Sequence, residues 1–201
     1  MKRKQIGILI MVFLLVTLGG RCKKEEPAND TTGSIATITA VDTTPTGGTV
    51  TTATMALAAP DQQFVLDAAA AILAEAAYSK TADLLSPDVA VKAFGHLLLQ
   101  DFADMLAELT VLGQKHGVAL PTEVEIKVAA SNDALAKLKG KEFNRTYLQH
   151  IIDDHVTMIA LFDAESKVVG DADLRAWVDK NRPKLQSHLD KAKELLTKVG
   201  K

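Results

Sequence analysis

Three ionisable side chains interrupt apolar helical patterns, and their residue types are those that bind metal ions or form buried polar networks. Glu75, His155 and His188 each stand in a run where apolar residues recur every three or four positions. That spacing predicts that each side chain lies on the buried face of a helix. A carboxylate and two imidazoles from three helices could ligate one divalent metal ion, because these groups suit Zn, Fe, Ni or Cu.

A polar network without a ligand is the alternative use of the same three residues. If either histidine hydrogen-bonds to Glu75, the contact fixes the register of the helices, and this is the interpretation we favour. A di-iron site is disfavoured, because it requires Glu-x-x-His on two helices. Here Ile152 and Leu185 stand three residues before His155 and His188.

Two further carboxylates could support such a site, and the remaining histidines are assigned no role. Asp101 flanks the apolar seam of its helix, and Asp154 could orient a histidine by accepting a hydrogen bond. His96, His116 and His150 lie at or near polar faces, so they are predicted to be solvated. The sequence contains no Gly-x-Ser-x-Gly elbow and no glycine-rich phosphate loop. We therefore predict no catalytic residue, and no cofactor beyond the possible divalent metal.

The composition favours packed helices in one domain of ordinary size. Of the 201 residues, 47% are hydrophobic but only 4% are aromatic, whereas sheets draw on β-branched and aromatic residues. The formal net charge of −2 becomes −6 without the four basic residues of 1–21. A mildly acidic domain without a basic stripe argues against a nucleic-acid partner.

The N-terminus has the pattern of a secretory signal peptide followed by a lipid-modified cysteine. Basic residues precede an apolar run over 6–18, which is shorter than the ~17–25 residues that a spanning helix needs. Gly19-Gly20-Arg21-Cys22 resembles a bacterial lipobox, in which the cysteine receives lipid and becomes the mature N-terminus. The alternative is a free Cys22 beside an uncleaved anchor. Cys22 is the chain's single cysteine, so an intramolecular disulfide is excluded.

The segment after the cysteine is predicted to be a flexible tether. Residues 27–59 contain eleven threonines and no apolar periodicity, so they cannot bury enough surface to offset the entropy of ordering them. As a coil, the tether would span roughly 35 Å. We therefore divide the chain into a signal peptide (1–21), a lipid-anchored tether (22–60) and a helical domain (61–201).

Four long helical patterns and one short pattern follow the tether. The long patterns cover about 61–83, 86–116, 141–166 and 171–199, with a shorter, less regular segment over 121–140. The last three long patterns have predicted apolar seams, in chain order: Val91, Gly95, Leu98, Phe102, Met105, Leu109 and Leu112; Leu148, Ile152, His155, Ile159 and Phe162; and Leu174, Val178, Asn181, Leu185, His188, Ala192, Leu195 and Val199. Since most of the connections are short, we predict an antiparallel four-helix bundle with a short extra helix between the second and third long helices.

Several polar residues are predicted to mark the helix ends. Three of them are predicted N-caps of long helices: Asp61, Ser86 and Asp171. Thr122 and Glu125 suggest a capping box before the short helix. Pro183 is predicted to kink the last helix, or to restart it with Asn181 as a new cap.

Short motifs in this chain occur in the order found in one known family: DQQF at 61–64, Glu75, VKAFG at 91–95, GVALP at 117–121, FNRTY at 143–147, Asp154-His155 and PKLQSH at 183–188. Together, over about 61–197, they resemble an uncharacterised bacterial family of exported, ferritin-like helical proteins, domain of unknown function forty-one forty-two. Its members are often labelled predicted outer membrane protein. The resemblance implies the bundle fold and an envelope location, but no established activity.

The chain departs from that family's pattern in the second helix. The family usually has Asp-His there, where this chain has Asp101-Phe102. The resemblance implies a glutamate on the first helix and a histidine on each of the other three. Here Glu75, His155 and His188 remain, and a phenylalanine takes the fourth place.

The expected function follows from these predictions. We expect a lipid-anchored envelope protein at the outer membrane, on its periplasmic or surface face, with a non-catalytic binding or structural role. The alternative is a ferritin-like redox or metal-storage protein that uses Glu75, His155 and His188. The expected partner is the membrane, through the N-terminal lipid, and not nucleic acid.

Overall fold

Five α-helices make up the part of the chain that the structure describes. The computed structural model describes residues 56–199, so the predicted signal peptide, Cys22 and most of the predicted tether lie outside it. The helices are α1 (Ala59–Leu85), α2 (Val89–His116), α3 (Ile126–Lys137), α4 (Gly140–Glu165) and α5 (Ala172–Val199). Within these residues there is no strand. None of the five described helices has the combination of length and hydropathy that a membrane span requires. The predicted all-α class is confirmed.

The four long helices form a bundle in which neighbouring helices are antiparallel. α1 packs most extensively on α2, and α4 packs most extensively on α5. Smaller contacts of α1 with α4 and of α2 with α5 give each long helix two neighbours in the bundle. Phe64 early in α1 meets Phe162 late in α4, and Lys180 in the first half of α5 pairs with Glu108 in the second half of α2. α2 and α4 therefore run parallel across a diagonal, and the connection that contains α3 crosses between them, as in ferritin-like bundles.

The apolar seams predicted from helical spacing form the core of the bundle. In α2 every member of the predicted seam is buried: Val91, Gly95, Leu98, Phe102, Met105, Leu109 and Leu112. In α5 the same holds: Leu174, Val178, Asn181, Leu185, His188, Ala192, Leu195 and Val199. The seam of α4 differs in one place, because Ile151 is fully buried and Ile152 only partly. Each large apolar side chain buried in this way contributes about 1.5–3 kcal/mol.

Gly95 allows α1 and α2 to pack at short range. A Cβ atom at this position would lie 2.9 Å from the backbone oxygen of Ser79 and 2.9 Å from the backbone nitrogen of Asp83. Both distances are shorter than van der Waals contact, and backbone atoms cannot move aside cheaply. The glycine in the α2 seam is therefore required by the approach of α1.

Aspartates cap two of the long helices, α2 and α5, and the predicted serine cap of α2 is wrong. Asp171 accepts hydrogen bonds from two backbone N–H groups at the start of α5, which confirms that prediction. At α2 the cap is Asp88 instead of Ser86. The Ser86 hydroxyl lies 2.8 Å from the side-chain oxygen of Asn144 and donates to it. Ser86 thus joins the α1–α2 connection to α4.

The first helix begins earlier than predicted, and Asp61 does not cap it. α1 begins at Ala59 with Pro60 in its first turn, where a proline is tolerated because that N–H has no helical partner. Asp61 is buried, and its Oδ2 accepts from the backbone N–H of Gly170 at 3.3 Å. Leu57 is also buried, so the chain joins the packed domain before residue 61.

The predicted capping box before α3 and the predicted restart of α5 at Asn181 are also wrong. α3 begins at Ile126, and Glu125 at its N-cap makes no side-chain hydrogen bond, so the capping box is absent there. α5 continues through Pro183 as one helix. Asn181 is not a new cap, because its side-chain amide donates to the carbonyl of Trp177 at 2.9 Å. Packing against the bundle outweighs the local break that the proline would cause in isolation.

Candidate functional site

Side chains from the four long helices, most of them polar, form two neighbouring clusters, and α4 contributes to both. The inner cluster is defined by four residues: Asp101, Phe102, His155 and His188. The outer cluster is defined by three: Glu75, His150 and Asp154. Residues 150 and 154 stand one turn apart, whereas residue 155 is rotated by about 100° from 154. α4 therefore contributes to both clusters with adjacent residues.

His155 is fully buried in the inner cluster. Its side chain has no exposed surface, and its Nδ1 lies 2.8 Å from the carbonyl oxygen of Ile151 on the preceding turn. Only a protonated Nδ1 can donate this bond, which leaves Nε2 as an acceptor. That Nε2 is buried and has no hydrogen-bond partner among the described residues. Burial, and then the nearby His188, lower the pKa of His155 to about 4.

His188 is held by a carboxylate on α2. Its Nε2 lies 2.8 Å from Oδ2 of Asp101, and Lys184 lies 3.1 Å from the other oxygen of the same carboxylate. Burial would raise the pKa of Asp101, but the bonds from His188 and Lys184 outweigh it and lower that pKa. Burial lowers the pKa of His188. The Asp101 carboxylate is thus charged and orients a buried imidazole.

Phe102 packs against both histidines of the inner cluster. The centroid of its ring lies 5.8 Å from that of His155 and 5.8 Å from that of His188. The two imidazole centroids are 5.6 Å apart with planes at 72°. The Phe102–His155 contact is tilted, and the other two are edge-to-face contacts of the kind that stabilise aromatic cores. An apolar ring therefore stands where the family pattern implies a fourth polar group.

Glu75 connects the inner cluster to the outer cluster. One of its carboxylate oxygens lies 3.6 Å from Nδ1 of His155, and its side chain is 1% exposed. That distance is too long for a hydrogen bond. Both carboxylate oxygens are buried without a partner of hydrogen-bond geometry among the described residues. Glu75 is therefore near His155 but is not held by it.

The outer cluster brings three ligand-type side chains together. Within residues 56–199, Glu75, His150 and Asp154 are the one set of three such groups whose ligand atoms all lie within 4.8 Å of one another. Nε2 of His150 is 3.0 Å from Oδ2 of Asp154, and these side chains are 30% and 40% exposed. This short contact does not have hydrogen-bond geometry, so the buried Nε2 has an ion-pair contact but no hydrogen-bond partner among the described residues.

The two carboxyl groups of the outer cluster affect each other's protonation. Burial, and then the charge of Asp154, raise the pKa of Glu75 well above its usual range. For Asp154, burial alone would raise the pKa, but the contacts with His150 and Glu75 lower it. Two carboxylates this close repel each other when both are charged. The cluster therefore needs a positive charge, either a proton or a cation.

Aromatic packing and a small cavity flank the outer cluster. The His150 ring lies against Tyr78, with centroids 3.8 Å apart, and the Tyr78 hydroxyl is 3.5 Å from the carbonyl oxygen of Val128 in α3. A cavity of 180 Å³ borders the cluster, and its walls are formed by six residues: Ala71, Ala74, Glu75, Asp154, Thr157 and Met158. The helices thus fix the ring of His150 and leave space beside both carboxyl groups.

The residues singled out from the sequence lie close together, but they do not form one set of ligands. Glu75, His155 and His188 are all buried, and His155 contacts both of the others. As a set, however, Glu75, His155 and His188 are not one of the groups of three converging ligand atoms among the described residues, because only Glu75 belongs to such a group. Asp101 supports a histidine, as its position suggested. Asp154 also pairs with a histidine, but this is His150 and not a core residue.

His150 is the member of the site that the sequence interpretation missed. It was predicted to be solvated, yet its Nε2 is buried in the outer cluster. The available signal was its spacing from Asp154, since side chains four residues apart stand together on one helix face. The partner on α1 could not be recognised without knowing which face of α4 meets Glu75.

Comparison with known proteins places the chain in a family. A family model described as Domain of unknown function (DUF4142) matches residues 47–195. The chain belongs to this family. The match includes both clusters and confirms the resemblance inferred from the motifs. No curated protein matches the chain.

A solved structure supports the fold of this DUF4142 chain. The crystal structure of a DUF305 fragment from Deinococcus radiodurans is similar, with a TM-score of 0.64, 10% identity, and coverage of 71% of this chain and 99% of that one. At such low identity the likeness concerns the fold alone. It agrees with the ferritin-like arrangement of α1, α2, α4 and α5.

Proposed function

We propose that this DUF4142 protein is a lipid-anchored protein of the cell envelope, at the outer membrane, whose helical domain has a binding or structural role without catalysis. The observation that carries the non-catalytic part is the inner cluster. His155 donates to a backbone carbonyl of its own helix, and His188 is paired with Asp101. Phe102 packs on both rings. These contacts fix the register of α2, α4 and α5, which is what a buried polar network does.

The location part of the proposal depends on the N-terminal sequence. Cys22 directly follows the apolar run and precedes the threonine-rich segment, which is the arrangement of a lipid-modified protein. The predicted tether would hold the bundle roughly 35 Å from the membrane surface. The partner is then the membrane itself, through the lipid on Cys22.

Replacing the cysteine tests the anchor. In Cys22→Ser we expect the protein to leave the membrane fraction or to remain as an uncleaved precursor, because no thiol is available for lipid. Thr44→Ser in the tether is the matched control and should fractionate like the wild type. The measurements are cell fractionation and mass spectrometry of the mature N-terminus. A mature N-terminus at Ala59 would contradict the anchor.

A second candidate is the ferritin-like redox or metal-storage function with Glu75, His155 and His188 as ligands. One observation favours it. Nε2 of His155 and Nδ1 of His188 are both buried without a hydrogen-bond partner among the described residues. Each is the ring nitrogen left unprotonated when the other nitrogen donates. Such atoms are available to a metal ion.

Restoring the family's fourth polar group tests this second candidate. We expect Phe102→His to gain Zn(II) affinity, because a third imidazole joins His155 and His188. The change is made in an Asp154→Asn background, so that the outer cluster does not contribute. Phe102→Gln is the control for polarity alone. Zinc per chain is measured by elemental analysis after dialysis, and the absence of any gain would leave the inner cluster with a purely structural role.

A further inference from the structure

We propose that the outer cluster, Glu75, His150 and Asp154, is a divalent metal site of the first-row transition-metal type. The inference deepens the binding role proposed above by naming the ligand, and it does not depend on the lipid anchor. It also differs from the second candidate, because it uses neither His155 nor His188 as a ligand.

The three side chains offer a suitable donor set. One imidazole nitrogen and two carboxylate oxygens bind Zn(II), Fe(II) or Mn(II), whereas Mg(II) and Ca(II) prefer oxygen alone. His150 and Asp154 are four residues apart on α4 and project from one helix face. Glu75 approaches from α1. A bound ion would therefore join the two helices.

The distances match those between ligands of one ion. Two ligand atoms at 2.0–2.2 Å from a metal are separated by roughly 3–3.5 Å. Nε2 of His150 and Oδ2 of Asp154 are 3.0 Å apart, and all three ligand atoms lie within 4.8 Å of one another. The limit of 4.8 Å exceeds this range, so the Glu75 carboxylate would move towards the ion to complete the set.

The hydrogen bonding at the site points to a ligand as well. Glu75 is 1% exposed, and neither of its oxygens has a hydrogen-bond partner among the described residues. Nε2 of His150 contacts Asp154 but also lacks hydrogen-bond geometry. Buried polar atoms without a hydrogen-bond partner destabilise the folded protein, and these belong to two of the three side chains whose ligand atoms lie within 4.8 Å of one another. A cation would satisfy all three atoms and would neutralise the repulsion between the two carboxylates.

The surroundings leave room for the rest of a coordination shell. The 180 Å³ cavity beside Glu75 and Asp154 can hold several waters at about 30 Å³ each. Three protein ligands and one or more waters make an open site. Contact of the His150 ring with Tyr78 fixes the ring before the ion arrives. The ion would therefore remain accessible from solvent on this side of the bundle.

A zinc titration of the full chain, purified in detergent and stripped with chelator, tests the proposal. We expect one Zn(II) per chain in the wild type by isothermal titration calorimetry and elemental analysis. His150→Gln and Asp154→Asn should each lower the affinity by at least about tenfold. His96→Gln is the matched control, because His96 lies 3.5 Å from Asp83 on the surface without a third ligand; its affinity should equal that of the wild type.

Other outcomes would overturn the proposal. No stoichiometric zinc in the wild type would mean that protons alone neutralise Glu75 and Asp154. Loss of zinc in His188→Gln, with retention in Asp154→Asn, would place the ion in the inner cluster. Circular dichroism of each variant excludes unfolding as the cause. Zinc binding by Cys22→Ser separates this question from that of the anchor, since the ligands lie outside the tether.

Discussion

The two clusters on α4 use the same residue types in opposite ways. In the inner cluster, His155 has no exposed surface and bonds to its own backbone. In the outer cluster, His150 is 30% exposed, and its Nε2 contacts a carboxylate without a hydrogen bond. The two histidines are five residues apart on one helix. Their different positions around α4 decide which of them is committed to structure and which is available to a ligand.

The two histidines differ in role because different groups lie beside their rings. The inner ring packs on Phe102 and on His188 at 5.8 and 5.6 Å, so its neighbours are aromatic and the space is filled. The outer ring packs on Tyr78 on one side and has carboxyl groups and a cavity nearby. Filled space gives stability through packing, whereas unfilled space beside polar atoms allows ions or water to bind.

Among the variants that test the difference between the two clusters, Phe102→Ala should have the largest effect on stability. It removes the ring that fills the inner cluster, so we expect a loss of about 3–5 kcal/mol in the free energy of unfolding. Leu97→Ala on the same helix is the control, because Leu97 is 47% exposed and should change stability by about 0.5 kcal/mol. Urea unfolding measures both. Equal losses would mean that the inner cluster is not part of the packed core.

Lowering the pH should destabilise the folded protein, because His155 in the inner cluster is neutral when folded and takes up a proton more readily when unfolded. Its pKa is about 4 in the folded protein against a usual 6.5, so the unfolded chain takes up the proton first as pH falls. The stabilisation from the neutral imidazole is complete above about pH 6.5 and is lost as pH falls from there towards 4. The loss is roughly 3 kcal/mol.

Urea unfolding across this pH range tests the role of His155. His155→Gln cannot titrate, so its stability should fall less steeply between pH 6.5 and 4 than that of the wild type. His96→Gln, on the exposed surface of α2, should follow the wild type. If the His155→Gln profile is as steep as the wild-type profile, groups other than this imidazole cause the acid sensitivity.

Helical periodicity predicted the inner cluster better than the outer one. Burial of Glu75, His155 and His188 follows from the spacing of apolar neighbours along each helix, which is local information. The same information identified the seam of α2, which includes Phe102, whereas the polar residue usual at that place was implied by the family resemblance. It assigned His150 to a solvated face, because it contains nothing about which helix covers that face. The outer cluster exists only through the α1–α4 contact.

Prediction of the helix ends was also limited by the lack of information on tertiary contacts. Asp171 was predicted correctly, because an N-cap acts on the two or three residues that follow it. Asp61 and Ser86 were wrong, because both side chains are used in tertiary contacts, with the backbone of Gly170 and with Asn144. The same residue types, such as Asp and Ser, act as N-caps and as links between two helices. Only the packed structure distinguishes them.

The smallest expected effects come from a matched pair of carboxylates, Asp101 and Asp154. Each lies within 3.0 Å of a histidine nitrogen, and each is partly exposed, at 23% and 40%. Asp101→Ala leaves His188 buried with both nitrogens unpartnered, so unfolding should become easier by about 1–3 kcal/mol. In metal-free protein, Asp154→Ala should cost less than about 1 kcal/mol, because His150 reaches solvent and the repulsion on Glu75 is relieved.

Thermal unfolding in chelator measures both variants. A larger loss for Asp154→Ala than for Asp101→Ala would reverse the assignment of structural and ligand-binding roles to the two clusters.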